Sequence, residues 1–381
     1  MKFPKFSLGD NWKELRRFEK LSEHESAIVF YAENKASMNH FKTLIFELTE
    51  KMNLEICYVT SVKDDPMLTS QNLKIQSFYI GDGTARTKFF LTLKARILIM
   101  DMPDLEKFHI KRSKVFHVHY IYIFHSMFSV HSYLREGAID NYDTIFCVGE
   151  HHKNEIRETE KVYKLKPKKL IEYGFGRLDT LLVQNEKFQK IDKKSNELII
   201  ISPSYGKNNL LELCGIELLD ILLNSNFKIL LRPHFKTLKE SKKLINTILE
   251  KFGDNPNFTL EEGIIPPEKF HKSKCMISDW SGISLEYAFT FERPVVFIDV
   301  PKKVLNPNSA DISLEPIEIS IREKIGYVIS PTNLVKIPNI IKKINEDKSL
   351  NNQIEKIRSE TVYHIGNSAE IGSKYIQELI S

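Results

Sequence analysis

From about residue 27 onward, short apolar runs alternate with amphipathic segments, and this alternation restricts the possible fold more than any other feature. The runs at 27–33, 55–61, 75–81, 95–101, 115–124, 142–149 and 169–176 have the length and β-branched or aromatic content of strands. Between the first two, Phe41, Leu44, Ile45 and Leu48 fall at helical spacing within 38–52. Strands apolar on both faces, separated by helices, imply a parallel sheet covered on both sides. The polar stretch Gln184 to Asn196 breaks the pattern and reads as a linker, so the chain divides into 1–183, a linker at 184–197, and 198–381. In the second part, strands are expected at 197–204, 227–234, 257–262, 274–279, 294–301 and 325–330. Helices are expected at 208–225, 237–253, 345–360 and 368–380, the last able to pack back on the first domain. A chain of 381 residues is long enough for two such units.

The bulk properties narrow the function. Hydrophobic residues make up 42% and charged residues 28%, a globular balance. A formal net charge of +5 suits anionic ligands but is too dispersed for a nucleic-acid surface. The most apolar stretch, Val115 to Phe124, carries two histidines and is well short of the about 20 residues that a bilayer span needs. Neither a secretory leader nor a membrane span is expected, and the chain reads as cytoplasmic. Near the start, Trp12, Leu15 and Phe18 stand among Lys13, Arg16, Arg17 and Lys20. This is a helix that either docks on its own domain or lies on the inner membrane face. Cys57, Cys147, Cys214 and Cys275 are widely spaced in apolar contexts and read as buried free thiols.

In doubly wound sheets, ligands lie beyond the carboxyl ends of the strands, so residues just after strands carry the chemistry. Three segments qualify. In Lys228–His234 an apolar strand ends in Arg232, Pro233 and His234. The arginine can grip a phosphate with two parallel bonds, and the histidine can donate to it or act as acid or base. In Ile277–Tyr287 a strand runs through Ser278, Asp279, Trp280, Ser281 and Gly282 into a helix that contains Ser284 and Glu286. Asp279 or Ser281 could cap that helix, whose first-turn amides would then form an anion site, and Gly282 would let a phosphate come close. In Phe124–Gly137 a strand ends at His125, placed to serve as a general base, with Ser126 as a helix cap and Met127, Val130 and Leu134 as the buried stripe. Weaker signals are Gly174–Asp179, which resembles a phosphate-binding turn, Ser202–Gly206, and Gly366–Ser368. His117, His119 and His125 would share one strand face where a metal is conceivable, although no carboxylate or cysteine stands at ligand spacing. His151 and His152 read as a solvated helix start.

The order of these motifs resembles the CDP-glycerol glycerophosphotransferase family, bacterial enzymes related to teichoic acid polymerases. The likeness rests on Arg232-Pro233-His234, Ser278-Asp279-Trp280-Ser281-Gly282 with Glu286-Tyr287-Ala288, and Arg293 to Phe297. Upstream, Tyr173 to Asp179 and Ile200 to Ser204 fall in the same order. It implies a glycosyltransferase B-type fold, α/β, with two Rossmann-like domains facing across a cleft. It also implies transfer of glycerol phosphate from CDP-glycerol to a hydroxyl of a surface polymer or lipid-linked acceptor, with release of CMP. On this resemblance His125 and His234 are the catalytic pair. The donor contacts are Arg232, Ser278, Asp279, Ser281, Gly282, Ser284, Glu286, Ser204, Asn367 and Ser368, and the acceptor or phosphate side holds Ser126, His131 and Arg177. Three positions depart from the family pattern. Phe124-His125-Ser126 stands where Trp-His-Gly is usual, and Gly282 where a second serine is common. No cofactor is required by the residues seen, although a divalent cation could accompany the donor. A glycosyltransferase with a nucleotide-sugar donor, or a binding protein on the same fold, would use the same diphosphate contacts.

Overall fold

The computed structural model describes residues 9–191, 197–263, 265–302, 305–346 and 349–381. Two parallel sheets organise them. The first has β1 (Ile28–Ala32), β2 (Ile56–Thr60), β3 (Ile75–Tyr79), β4 (Ile97–Met100), β5 (His119–Ile123), β6 (Thr144–Cys147) and β7 (Lys169–Glu172), in the order β3-β2-β1-β4-β5-β6-β7. The second has β8 (Leu198–Ile201), β9 (Lys228–Leu231), β10 (Phe258–Leu260), β11 (Ser273–Ser278), β12 (Val295–Ile298) and β13 (Gly326–Ile329), in the order β10-β9-β8-β11-β12-β13. Every pairing is parallel. Helices cover both faces of each sheet, so β1, β2, β4 and β12 are buried at every position and nearly all apolar. In each sheet the strand order reverses once, between β1 and β4 and between β8 and β11, which leaves a crevice at the carboxyl ends there.

Most expected elements are present, and the departures have physical causes. The helix at Met38–Phe46 continues as a π-helical turn, Glu47–Lys51, and buries Phe41, Leu44, Ile45 and Leu48 as the spacing requires. The strand expected from Val115 begins only at His119, and Val115 and Phe116 stay largely exposed. His117, His119 and His125 therefore share no face. His119 Nε2 meets Thr144 Oγ1 at 2.8 Å, and His117 is exposed outside the strand. The helix expected over 237–253 is two, Phe235–Glu240 and Lys242–Phe252. Gln184, the expected start of the linker, lies inside the helix Gly176–Ile191; 192–196 fall outside the described residues. That helix is a spine between the domains, with Asn185 Nδ2 donating to Thr290 O at 2.9 Å and Asn185 Oδ1 3.0 Å from His271 Nδ1. His151 and His152 are not solvated. They hold the carbonyls of Met127 and Phe128 through Nε2, at 3.0 and 2.8 Å, and His152 is fully buried. Ser126 caps no helix. Its Oγ accepts from the Phe128 amide at 3.2 Å, and the following helix is one turn, Val130–Tyr133.

The helix Asp10–Phe18 turns its apolar side inward. Leu15 and Phe18 are buried, and Phe18 meets the Phe78 and Phe89 rings edge-on at 5.3 and 5.2 Å. Among the described residues no helix is long and apolar enough to cross a membrane. All four cysteines are buried and free.

The chain ends on the first domain. The helix Ser368–Ile380 places Ile376 in the core beside Phe41 and Leu44, and Tyr375 OH meets Thr144 Oγ1 at 2.8 Å. Its start is held by Asp179, whose carboxylate accepts from the Gly366 amide at 2.7 Å and from the amide and hydroxyl of Ser368. Gly174 makes this docking possible. It sits at φ +97°, and a Cβ there would strike the carbonyl of Tyr363. The glycine pattern that resembled a phosphate turn is, at Gly174, a packing requirement. Gly174→Ala should lower the unfolding free energy by about 2–4 kcal/mol, from strain and overpacking together. Urea denaturation of the purified protein measures this.

Candidate active site between the two sheets

Both crevices are built in the same way. In the second sheet Asp279, which follows β11 and is 1% exposed, reaches across the switch point to the segment after β8. Its Oδ1 accepts from the Ser204 amide at 2.7 Å and its Oδ2 from the Leu210 amide at 2.9 Å. Ser278 Oγ adds a bond to Ser202 O at 2.7 Å. Asp279 was expected to cap its own helix or contact a donor, yet its oxygens hold backbone amides of a neighbouring segment. The helix Ile283–Phe291 begins with Gly282 as N-cap, and no side chain caps its first turn. Ser284 Oγ turns back to Ser281 O at 2.8 Å. The positive end of this helix therefore carries no side-chain cap.

In the first sheet Asp101, which follows β4, plays the matching part. Its Oδ1 accepts from Ser37 Oγ, in the segment after β1, at 2.9 Å. Burial pushes its carboxyl up to about 7. Its backbone carbonyl lies 3.3 Å from His125 Nδ1, and Tyr122 OH lies 3.5 Å from the same nitrogen. A carbonyl can only accept, so Nδ1 carries the hydrogen and Nε2 keeps its lone pair. Burial lowers the His125 pKa, while the Asp101 carbonyl and Glu286 work the other way. The ring therefore stays neutral and able to take a proton near neutral pH.

His234 is held in the opposite tautomer. It is the N-cap of the helix Phe235–Glu240, and its Nδ1 accepts from the Lys236 amide at 3.1 Å. An Nδ1 that accepts leaves the hydrogen on Nε2, so this imidazole presents a donor. Its ring packs on Tyr205 at 4.6 Å between centres. Arg232, half-buried, donates through Nε to Gly263 O at 3.2 Å, and its Nη1 lies 3.5 Å from Ser202 Oγ. Burial works against its charge, Glu286 supports it and Arg177 opposes it, so the three groups share one neighbourhood.

Contacts between the domains join the two crevices. Arg177 Nε donates to Glu286 Oε2 at 2.6 Å. A Cβ on Gly282 would lie 2.9 Å from Ser126 Oγ, so the loop after β5 touches the turn after β11. Tyr133 lies 6.4 Å, centre to centre, from His125, and burial, then Tyr205, Glu318 and Glu286, push its hydroxyl up to about 12. Ser126, Arg177, Glu286 and Gly282 thus lie where the two domains meet, with His125 beside Ser126 and Arg232 near Glu286, and His234 stands two residues beyond Arg232 with its ring on Tyr205.

Other expected site residues lie elsewhere. His131 Nδ1 is 3.0 Å from Glu155 Oε2, with both side chains 2% exposed, in a buried pair behind the loop. Ser368 is fully buried against Asp179, and Asn367 begins the last helix on the first domain. Ser204 contributes its amide to Asp279. Among the described residues no group of three or more histidine, cysteine, aspartate or glutamate side chains is placed to hold a metal. Sequence reasoning missed Asp101 and His40. His40, in the helix after β1, is buried with its ring 6.3 Å from that of His125. The signal that marks both is position: each follows a strand that borders the switch point.

The contact between Gly282 and Ser126 gives a direct test. Gly282→Ser should weaken activity or folding by crowding Ser126, and Ser126→Gly should relieve that loss in the double variant. A double-mutant cycle on stability and kcat/KM should show a coupling of about 0.5–3 kcal/mol, and additive effects would mean that the two positions do not meet.

The sequence from residue 15 to 303 matches the family model described as CDP-Glycerol:Poly(glycerophosphate) glycerophosphotransferase. No curated protein matches the sequence. Among solved structures, the fold is similar to that of the UDP-GlcNAc 2-epimerase from Methanocaldococcus jannaschii, solved with UDP-GlcNAc and UDP. That match has 14% identity and a TM-score of 0.56, and it covers 93% of this chain and 99% of that one. The UDP-GlcNAc 2-epimerase of Neisseria meningitidis gives 15% identity, a TM-score of 0.55 and coverage of 92% and 100%. Anabaena Alr3699/HepE, in complex with UDP and glucose, gives 12%, 0.53, and 93% and 100%. At these identities the likeness speaks for the fold, two parallel-sheet domains of glycosyltransferase B type. With more than half its length matched, the chain belongs to the CDP-glycerol:poly(glycerophosphate) glycerophosphotransferase family.

Proposed function

We propose that this protein transfers glycerol phosphate from CDP-glycerol to a hydroxyl of a surface-polymer or lipid-linked acceptor and releases CMP. The observation that carries this reading is the pair of histidines held in opposite tautomers, His125 with a bare Nε2 and His234 with Nε2–H, in crevices that the domain contacts bring together. Such a pair supplies what phosphoryl transfer asks of a protein, a proton acceptor on one side and charge stabilisation on the other. The acceptor oxygen forms a bond to the phosphorus that bears glycerol, and its proton passes to His125 Nε2. The bond from that phosphorus to the bridging oxygen breaks, and CMP leaves with the electron pair. Arg232, His234 Nε2–H and the uncapped amides at the start of the Ile283–Phe291 helix hold the diphosphate and meet the charge on the departing CMP. Asp279 supports this site by fixing the Ser204 and Leu210 amides.

The reading is tested by incubating the protein with CDP-glycerol and a hydroxyl acceptor and measuring CMP. UDP or GDP release from a nucleotide-sugar donor, with CDP-glycerol inert, would overturn it in favour of a sugar transferase. His234→Ala and His125→Ala should each lower kcat by about 10²–10³ with the fold intact. The acid limb of kcat/KM should fall with a midpoint below the ordinary histidine value of 6.5, because burial disfavours the protonated His125 ring and the reaction needs its neutral form. A midpoint above that value would reject His125 as the base.

A further inference from the structure

Glu318 has no place in the mechanism above, yet it is a carboxylate of the second domain buried against the loop after β5 of the first. It stands in the short helix Ile317–Ser320 and is 5% exposed. Its Oε2 accepts from the Ser129 amide at 3.0 Å and its Oε1 from the Ser129 hydroxyl at 2.9 Å. Ser129 is the N-cap of the helix Val130–Tyr133, a place where serine ordinarily bonds an amide of its own first turn. Here its hydroxyl goes to the other domain, and the Val130 and His131 amides go to Glu155. The first domain thus holds residues 127, 128, 130 and 131, through His151, His152 and Glu155, while the second holds Ser129 through Glu318 and the His131 carbonyl through Asn306 Nδ2 at 2.9 Å. A buried carboxylate is costly unless its oxygens are bonded. One that gives both oxygens to a single residue of another domain marks a point where position is fixed.

The same stretch of chain also meets the turn after β11. Arg322, four residues beyond Glu318, places its guanidinium carbon 4.1 Å from the centre of the Trp280 ring and donates through Nη1 to Asp299 Oδ1 at 2.8 Å. Trp280 stands between β11 and the helix Ile283–Phe291, and its Nε1 donates to Val300 O at 2.8 Å. Residues 318–322 therefore connect the turn that leads into the uncapped helix with the loop that carries His125. The side-chain anchors of His125 are long, 3.3 Å to Asp101 O and 3.5 Å to Tyr122 OH, so the placing of its ring depends on the loop. A general base acts only when it is held close to the geometry of proton transfer. We propose that Glu318 is a positioning residue for His125: fastened beside Trp280 through Arg322, it sets the loop after β5 from the second domain, so that the base is in place only while the two domains are together. This rests on the transfer reading and adds a residue that acts through the base.

The experiment measures CMP release from CDP-glycerol, with octyl phosphoglycerol as the acceptor, in the wild type, Glu318→Ala, Glu318→Gln, Ser129→Ala, His125→Ala and the double variant of Glu318→Gln with His125→Ala. Glu318→Ala should lower kcat by about 10²-fold, the loss that a small displacement of a reacting group can bring. Glu318→Gln keeps one acceptor oxygen and should lose about tenfold, as for one unmade hydrogen bond in a buried site. Ser129→Ala removes the hydroxyl from the other side of the same bond and should lower kcat in the same way, which covers the case of a Glu318→Ala protein that does not fold. In every Glu318 and Ser129 variant, KM for CDP-glycerol and the CDP-glycerol-induced rise in melting temperature should stay at the wild-type values. The double variant should be no slower than His125→Ala alone, because Glu318 acts through that ring. Unchanged kcat in folded Glu318→Gln and Ser129→Ala variants would overturn the inference and leave the transfer reading in place. Losses that multiply in the double variant, or a lost donor-induced shift, would overturn it as well, since Glu318 would then shape the site as a whole. Wild-type protein that releases no CMP would overturn both.

Discussion

Two buried carboxylates, each crossing a switch point, hold the segments that border the two crevices. Asp279 holds the amides of Ser204 and Leu210 from across the second sheet, and Asp101 holds the Ser37 hydroxyl from across the first. A parallel sheet opens a crevice at the carboxyl ends of the strands where the order reverses, but it does not fix the loops that border the crevice. A carboxylate buried there must find donors, because an unpaired buried charge is far more costly than the bonds it would make. The loops are therefore held at the place where they must meet a ligand. Asp279 accepts from two backbone amides, one on each oxygen. Asp101 has fewer partners, and burial moves its carboxyl up to about 7.

The two histidines inherit their roles from backbone groups. Asp101 offers a carbonyl to His125 Nδ1, which fixes the hydrogen there and bares Nε2. The first turn of the Phe235–Glu240 helix offers an amide to His234 Nδ1, which does the reverse. Neither role is intrinsic to histidine, and neither could be assigned from the residue type. The loop that carries His125 is fixed in turn by His151 and His152, which hold the Met127 and Phe128 carbonyls, and by Glu318 of the second domain, which accepts from the Ser129 amide and hydroxyl at 3.0 and 2.9 Å. Burial keeps His151 at a pKa near 4 and His152 well below the ordinary value, which suits rings whose task is to hold carbonyls.

The elements were largely legible because a parallel strand covered on both faces is written as an unbroken apolar run. ILIM, TIFC and VVFI admit little else. The position of Arg232 and His234 was legible because a strand that stops abruptly in polar residues marks the carboxyl edge of a sheet, and both follow β9. The role of Asp279 was not, since its partners lie 69 and 75 residues away and a carboxylate before a helix has a nearer use as a cap. Val115 and Phe116 misled because apolar residues next to a strand lengthen the apparent run, and what stops the strand is the geometry of its neighbours. His40 was hidden inside a helical pattern that was read correctly for its buried face, where a histidine between Asn39 and Phe41 carries no mark of its own. Asn367 and Ser368 were misplaced because the sequence does not show that Asp179 waits for them on the other domain.

The same steric logic links two of the three departures from the family pattern. Serine stands at 126 where glycine is usual after the histidine, and glycine stands at 282 where a second serine is common. Taken singly, each would count against the likeness. In space they face one another: a Cβ on Gly282 would come within 2.9 Å of Ser126 Oγ, so serine in one loop requires the other to give way. The exchange moves a hydroxyl from the turn after β11 to the loop after β5, across a distance of one contact. It leaves the amide of residue 282, which any residue but proline can supply, at the start of an uncapped helix. Two substitutions that look like erosion of a motif therefore amount to one rearrangement, in which the two loops keep their contact and the helix its start at residue 282 while the hydroxyl changes sides.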